Sequence, residues 1–276
     1  MVAAVQPTGS APDLRLVTEF RGAVGRLFTE GKGEIIISGP AGTGKTRSIL
    51  EWIHWRCENE RIRVLILRKT HTALVTSALV TFNNQVLHAF DGKRSVLDGV
   101  TFFGGNKILP PEYQYEATGS AIVTGGMDTI TKVLSTEYDV IYINECTELT
   151  LDDWELIGNR TDRPTMDTTR PESLLLGDCN PDVPHHWIKQ REKSGQLQLW
   201  VTTHKDNPSM WDRVRKCWTA SGERYLARLR KNTGVRRLRM LEGKWVAAEG
   251  QVYEAWDPNE HLLDINDLRS LGVLVE

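Results

Sequence analysis

Residues 39–46 read GPAGTGKT and match the spacing G-x-x-x-x-G-K-[ST], the Walker A pattern. Each position suits a polyphosphate. Gly39, Gly42 and Gly44 let the backbone wrap closely, so the loop, which also takes in Pro40, Ala41 and Thr43, turns its N–H groups toward phosphate oxygens. Lys45 is expected to reach the β- and γ-phosphates as a point charge, Thr46 to ligate Mg²⁺ through its hydroxyl, and Arg47 to follow at the nucleotide. The flanks make the motif more than a Gly-rich turn. The apolar run EIIIS precedes it, and TRSILEWIHWRCENE follows with Ile49, Leu50, Ile53 and Cys57 at helical spacing, a strand-loop-helix whose positive N-terminal end adds to the phosphate site. ATP and Mg²⁺ are the cofactors this arrangement calls for.

Hydrolysis needs a second, acidic strand end, and VIYINE at residues 140–145 is the candidate Walker B segment. It carries Asn144 where Asp is usual. The first position normally accepts a hydrogen bond from a metal-bound water, which an amide oxygen can still do with less charge, so Asn144 is expected to meet the metal through water. The second position, Glu145, is expected to orient and deprotonate the attacking water, for which a carboxylate is required. Glu148, three residues on, reads as a helix cap, or else as a backup acid. A third run, LLLGDCNP (174–181), brings Asp178 and Asn180 to a strand end, where they either sense a γ-phosphate or form an ordinary D-x-N-P turn.

The elements that must carry these residues follow from short apolar runs at 34–38, 64–67, 140–143, 174–176 and 197–201, the rhythm of a buried, mostly parallel sheet. Residues 100–124, rich in Gly, Pro and β-formers, predict short strands or a hairpin inserted before VIYI. Beyond His204 the pattern turns helical, with SGERYLARLRKNTG capped at Ser221 and stopped near Gly234, then VRRLRMLEGKW. With 276 residues the chain can bury one large α/β core and a small satellite. Its four cysteines lie far apart without a C-x-x-C pair, so reduced thiols are expected rather than disulfides or zinc. No apolar run approaches the ~20 residues of a membrane span and no signal peptide opens the chain, so the expected location is the cytoplasm. The net charge of −2 conceals a basic block: residues 189–244 hold 15 Lys and Arg against 5 Asp and Glu. Such a block fits a nucleic-acid or partner surface, or equally a solvated helical face.

Taken in order, these segments resemble the ATPase domain of a tailed-phage terminase large subunit. The resemblance spans about residues 20–257 and is carried by FRGAVGRLF, GPAGTGKT, VLILRKTHTALVTSAL, the stretch from GGMDTITKVL to INECTELT, LLLGDCNP with HHWI, THKDNPSMW, and LEGKWVAAEGQVYEAWD. It implies a P-loop NTPase of the ASCE type, a mostly parallel central sheet flanked by helices, with a small helical lid subdomain matching the basic block. It further implies Glu145 as the catalytic acid, Asn180 (with Asp178) as the coupling position, and packaging of double-stranded DNA into a procapsid. The implied partners are double-stranded DNA, further copies in a homo-oligomeric ring, a portal protein and a small terminase subunit, with no membrane, acting in the host cytoplasm and transiently on the portal. The division expected is a flexible arm at 1–14, a P-loop core at 15–203, the lid at 204–245 and a linker at 246–276.

Two departures accompany the resemblance. The family's nuclease domain would start near the end of this sequence, so nuclease activity is not expected of it. The arginine finger that some members supply in trans has no arginine at the matching place; Lys132 lies there, and Arg160 and Arg163 in GNRTDRP are the nearest alternatives. Base contacts in the family come from the segment before the P-loop, which makes Phe20 and Arg21 candidates and Gln6 in the arm a poorer one, with helix core the competing reading for Phe20. Two other functions fit the motifs: a helicase-like ATPase on single strands, and a nucleotide-gated ring-assembly module with little turnover alone.

Overall fold

The computed structural model describes residues 19–134, 136–161, 172–247 and 268–269. The arm with its residue Gln6, the finger candidate Arg163 and nearly all of the expected linker lie outside the described residues.

In chain order the first half comprises α1 (Gly22–Glu30), β1 (Gly33–Ser38), α2 (Lys45–Asn59), β2 (Arg63–Arg68), the short helices α3 (His71–Val75) and α4 (Ala78–Thr81), β3 (Arg94–Ser95), β4 (Val100–Phe103), β5 (Glu112–Tyr115), β6 (Ala121–Gly126) and α5 (Ile130–Val133). The second half adds β7 (Val140–Ile143), α6 (Leu151–Gly158), β8 (Leu174–Cys179), α7 (Trp187–Lys193), β9 (Gln198–Val201), the hairpin β10 (Trp211–Asp212) and β11 (Cys217–Trp218), α8 (Ala220–Leu229) and α9 (Gly234–Met240).

β1 to β9 form one sheet in the order β3-β4-β5-β6-β2-β7-β8-β1-β9. From β6 to β9 every pairing is parallel, and β3, β4 and β5 extend the far edge antiparallel, which accounts for the Gly- and Pro-rich insertion. One strand, β8, stands between the P-loop strand β1 and the acidic strand β7. This is the ASCE order, and the protein is an α/β P-loop fold with helices on both faces of the sheet.

The continuous apolar runs exist because both faces of the central strands are covered. In β1, Ile35 and Ile37 enter the core shared with α1 and α2, while Ile36 points the other way into the core with α6 and α7. The apolar stripe Ile49, Leu50, Ile53 and Cys57 of α2 is fully buried, as its spacing predicts, together with Trp52. All four cysteines are free, three of them buried and Cys217 exposed. Among the described residues, no helix is long and apolar enough to cross a membrane.

Three local expectations change. Helix α8 is capped by Thr219, whose hydroxyl accepts from Gly222 N–H, and not by Ser221, which lies inside the first turn. Glu148 is no cap either: Thr150 and Asp153 form the capping box of α6, and Glu148 pairs with Arg68 at 2.6 Å. Beyond His204 the segment is not helical from its start, because the hairpin β10–β11 precedes α8.

Candidate active site

The ends of β1, β7 and β8 converge because neighbouring parallel strands run in register. Ile143 pairs with Gly177 and Ile37 with Asp178, so the residues that follow each strand emerge side by side at the carboxyl edge, where open α/β sheets bind ligands. A cavity of about 450 Å³ opens there. It is lined by Ala41 to Ser48 of the loop and α2, by Glu145 and Asn180, and by Thr81, Gln85 and Asn207 to Ser209 from elsewhere in the chain.

The loop is held open by backbone geometry that only glycine adopts without strain at Gly42 and Gly44, with φ of +80° and +81°. At Gly42 a second reason applies, because a Cβ there would stand 2.3 Å from Cε1 of Tyr225 on α8. Further contacts come from late in the chain: Asn207 donates to Gly42 O at 2.8 Å, His204 Nε2 donates to Ala41 O at 2.9 Å, and Ala41 N–H donates to Met240 O at 3.2 Å. None of Tyr225, His204 or Asn207 was singled out from sequence, although THKDNPSMW marked the segment that carries two of them.

Lys45 is buried and its ammonium donates to Gly39 O at 2.9 Å, Pro40 O at 3.2 Å and Asn180 Oδ1 at 3.1 Å. Burial pushes its pKa down, and the neighbouring carboxylates, Asp178 foremost, oppose that shift. A lysine stripped of most of its water by the fold responds strongly to an added negative charge. Arg47 lines the cavity, with its side chain tied to Glu51 at 2.9 Å.

Asp178 lies at the centre of the site. It is the fifth residue of β8, not part of a turn, and is 1% exposed. Oδ2 accepts from the Thr46 hydroxyl at 2.8 Å; Oδ1 accepts from Tyr142 OH at 2.9 Å, Asn144 Nδ2 at 3.0 Å and Glu145 N–H at 3.1 Å. Asn144 thus turns its NH₂ toward the cluster, since a carboxylate can only accept. Its contact with the Thr46 hydroxyl is the longer one, 3.4 Å.

Glu145 follows β7 with φ +53° and ψ +53°, a left-handed backbone that costs a non-glycine residue ~1–2 kcal/mol. Strain of this kind persists where surrounding structure over-determines it, as at functional sites. Its carboxyl pKa is pushed up to about 7, first by burial and then by the charge of Asp178, with Lys45 and Arg68 pulling the other way. That is the range a general base needs near neutral pH.

Other expected residues lie elsewhere. Arg21 does not line the cavity; its guanidinium is bonded to Glu19 and to Trp211 O. Phe20 packs on the core and against Phe28, 4.9 Å between ring centroids. Lys132, on α5, is exposed and lines a different cavity with His71 and Pro111, and Arg160 sits just past the C-terminal end of α6. Neither lines the cavity at the phosphate loop. His186 caps α7 and packs against Trp187 and Trp245.

The donor set suits a hard divalent cation, with a threonine hydroxyl bonded to a buried carboxylate and a second carboxyl, Glu145, on the same cavity. No protein-family model and no curated protein matches the sequence. Among solved structures, the chain is similar to the large terminase of a thermophilic bacteriophage, with a TM-score of 0.61 and 19% identity over 87% of this chain and 56% of that one. The same terminase in complex with ATP-gamma-S aligns at a TM-score of 0.57 and 20% identity over 87% of this chain and 55% of that one, and in complex with ADP at 0.55 and 18% over 84% and 53%. The chain spans little more than half the length of that protein. At such identities the likeness is one of fold. By fold, then, this chain is similar to that phage large terminase.

Proposed function

We propose that the chain is a Mg²⁺-dependent ATPase that drives movement of double-stranded DNA into a viral procapsid. The observation that carries the reading is the convergence of Lys45, Thr46, Glu145 and Asn180 on one cavity from three strand ends. In this reading the backbone of residues 39–46 and Lys45 hold the β- and γ-phosphates. Mg²⁺, held by Thr46, would offset charge on the transferred phosphoryl group. Glu145 orients a water and takes its proton as the water oxygen bonds to the γ-phosphorus. The bond from that phosphorus to the β–γ bridging oxygen breaks, leaving ADP and inorganic phosphate. Asn180, bonded to Lys45, reports the loss of the γ-phosphate to β8.

Residues 204–245 are the lid in this reading, supported by the packing of Tyr225 and Met240 on the loop. The exposed Arg224, Arg228, Arg236 and Arg237 of α8 and α9 leave that lid a basic outer face for DNA or for a neighbouring copy in a ring. A portal, a small terminase subunit and the host cytoplasm complete the proposed setting. The arginine finger is assigned to a neighbouring copy.

Phosphate release with Mg²⁺-ATP tests the proposal. Glu145→Gln is expected to lower turnover ~10²–10⁴-fold while nucleotide still binds. Duplex DNA should stimulate the parent more than single strands do, and specific activity should rise with protein concentration if a second copy completes the site. Parent-like hydrolysis by the Gln variant defeats the proposal.

A further inference from the structure

We infer that Asp178, on β8, supplies the carboxylate that the metal site lacks on β7, and that Asn144 is an amide because Asp178 is its neighbour. The inference rests on the ATP–Mg²⁺ reading above and assigns its buried charge to a strand where the motif does not look for it.

Three observations carry it. First, the Thr46 hydroxyl donates to Asp178 at 2.8 Å and stands 3.4 Å from the Asn144 amide, so the carboxylate in contact with the metal-binding threonine is on β8. Second, the site has room for one such charge and not two. Asn144 Nδ2 lies 3.0 Å from Asp178 Oδ1, and both residues are at most 2% exposed. An aspartate at 144 would bring two carboxylates into contact in a buried place, where like charges cannot both ionise. Third, Asp178 is held as an anion would be, by four donors from Thr46, Tyr142, Asn144 and the Glu145 backbone. Buried charges persist where hydrogen bonds replace lost water.

The consequence is a relocation of charge. β8 lies between β7 and β1, and Asp178 is in register with Ile37, two residues before the loop begins. An acid there reaches Thr46 as directly as one at the end of β7. Asp178 is therefore a positioning residue: it orients the Thr46 hydroxyl and offers its charge to water around the cation. Through its bond to the Glu145 N–H it also ties the strained turn of the base to the metal site.

The test is an exchange of the two side chains, read by Mn²⁺ electron paramagnetic resonance with ATP-gamma-S bound, so that turnover is not the readout. Asp178→Asn is expected to weaken Mn²⁺ in the ternary complex by ~10–100-fold. Affinity for ATP-gamma-S in EDTA should stay within a few-fold of the parent. Asn144→Asp alone should bind Mn²⁺ no tighter than the parent, because its carboxylate faces Asp178. The double variant, Asn144→Asp with Asp178→Asn, keeps the charge count and should recover most of the lost affinity. Should Asp178→Asn fail to fold, as thermal unfolding would reveal, the double variant carries the test: folded but still lacking Mn²⁺ affinity, it overturns the inference. Parent-like Mn²⁺ binding by Asp178→Asn overturns it as well and leaves the ATPase reading standing. A parent that holds no Mn²⁺ with the analogue removes both.

Discussion

The ammonium of Lys45 is bonded to the side-chain oxygen of Asn180 at 3.1 Å, so the lysine of the phosphate loop and the residue that follows β8 share one contact. A γ-phosphate competing for that ammonium would release or redirect Asn180 at the head of the segment leading to α7. In the proposed function, that bond would give Asn180 a physical means of sensing nucleotide.

Replacing Asn180 with Ala should therefore separate binding from coupling. Lys45 keeps Gly39 O and Pro40 O, so ATP affinity should change only a few-fold. DNA-stimulated hydrolysis should fall by roughly tenfold or more, the scale of one hydrogen bond to a charged group, ~1.5–3 kcal/mol. Equal losses with and without DNA would contradict a coupling role.

Glu145 predicts an acid limb. With its pKa near 7 the base must lose a proton before it can accept one from water, so kcat/KM should rise with pH through about 7. Nucleotide affinity measured over the same range removes ATP's own ionisation from the comparison.

The same group has a signature in stability. Its folded pKa, about 7, stands above the ordinary 4.5, so its contribution is fully present below pH 4.5 and is lost as pH rises through 7. Glu145→Gln removes the cost of ionising a buried acid. The variant should exceed the parent in chemical-denaturation stability at pH 8, by at most on the order of 3 kcal/mol, with the margin shrinking toward pH 4.5.

His54 should act in the opposite sense. On α2, it is buried beside Tyr115, which shares its Nδ1 at 2.8 Å, and it faces Asp98, Glu58 and His88; burial lowers its pKa to about 4. Its folded pKa lies below the ordinary 6.5, so the stability tied to neutral His54 is lost as pH falls from 6.5 through 4. His54→Phe should flatten that part of the parent's stability curve, which denaturant titration at pH 7 and pH 5 will read.

Gly42 and Tyr225 should behave as a pair. Gly42→Ala meets both the left-handed backbone, ~1–2 kcal/mol, and the Tyr225 ring, ~1–3 kcal/mol. Adding Tyr225→Ala should relieve the second cost and leave the first. Additive losses in thermal unfolding would mean that the ring does not rest on the loop.

Much of this protein is determined by sequence that is contiguous along the chain. The loop residues from Gly39 to Thr46, the five apolar strands and the buried stripe of α2 each follow from steric and hydrophobic rules acting over a few residues, and each stands where those rules place it. Tertiary structure alone decided which acid meets Thr46. Asp178 is 132 residues from Thr46 and 34 from Asn144, and what unites them is the register of three parallel strands. The packing of Tyr225 and Met240 on the loop is likewise invisible in sequence, because a basic amphipathic helix has the same pattern whichever surface it covers. Asn144 shows the difference most directly. Its residue type is a local fact, while the reason for it is a carboxylate on the neighbouring strand, since two buried like charges cannot share the space that one charge and one amide fill.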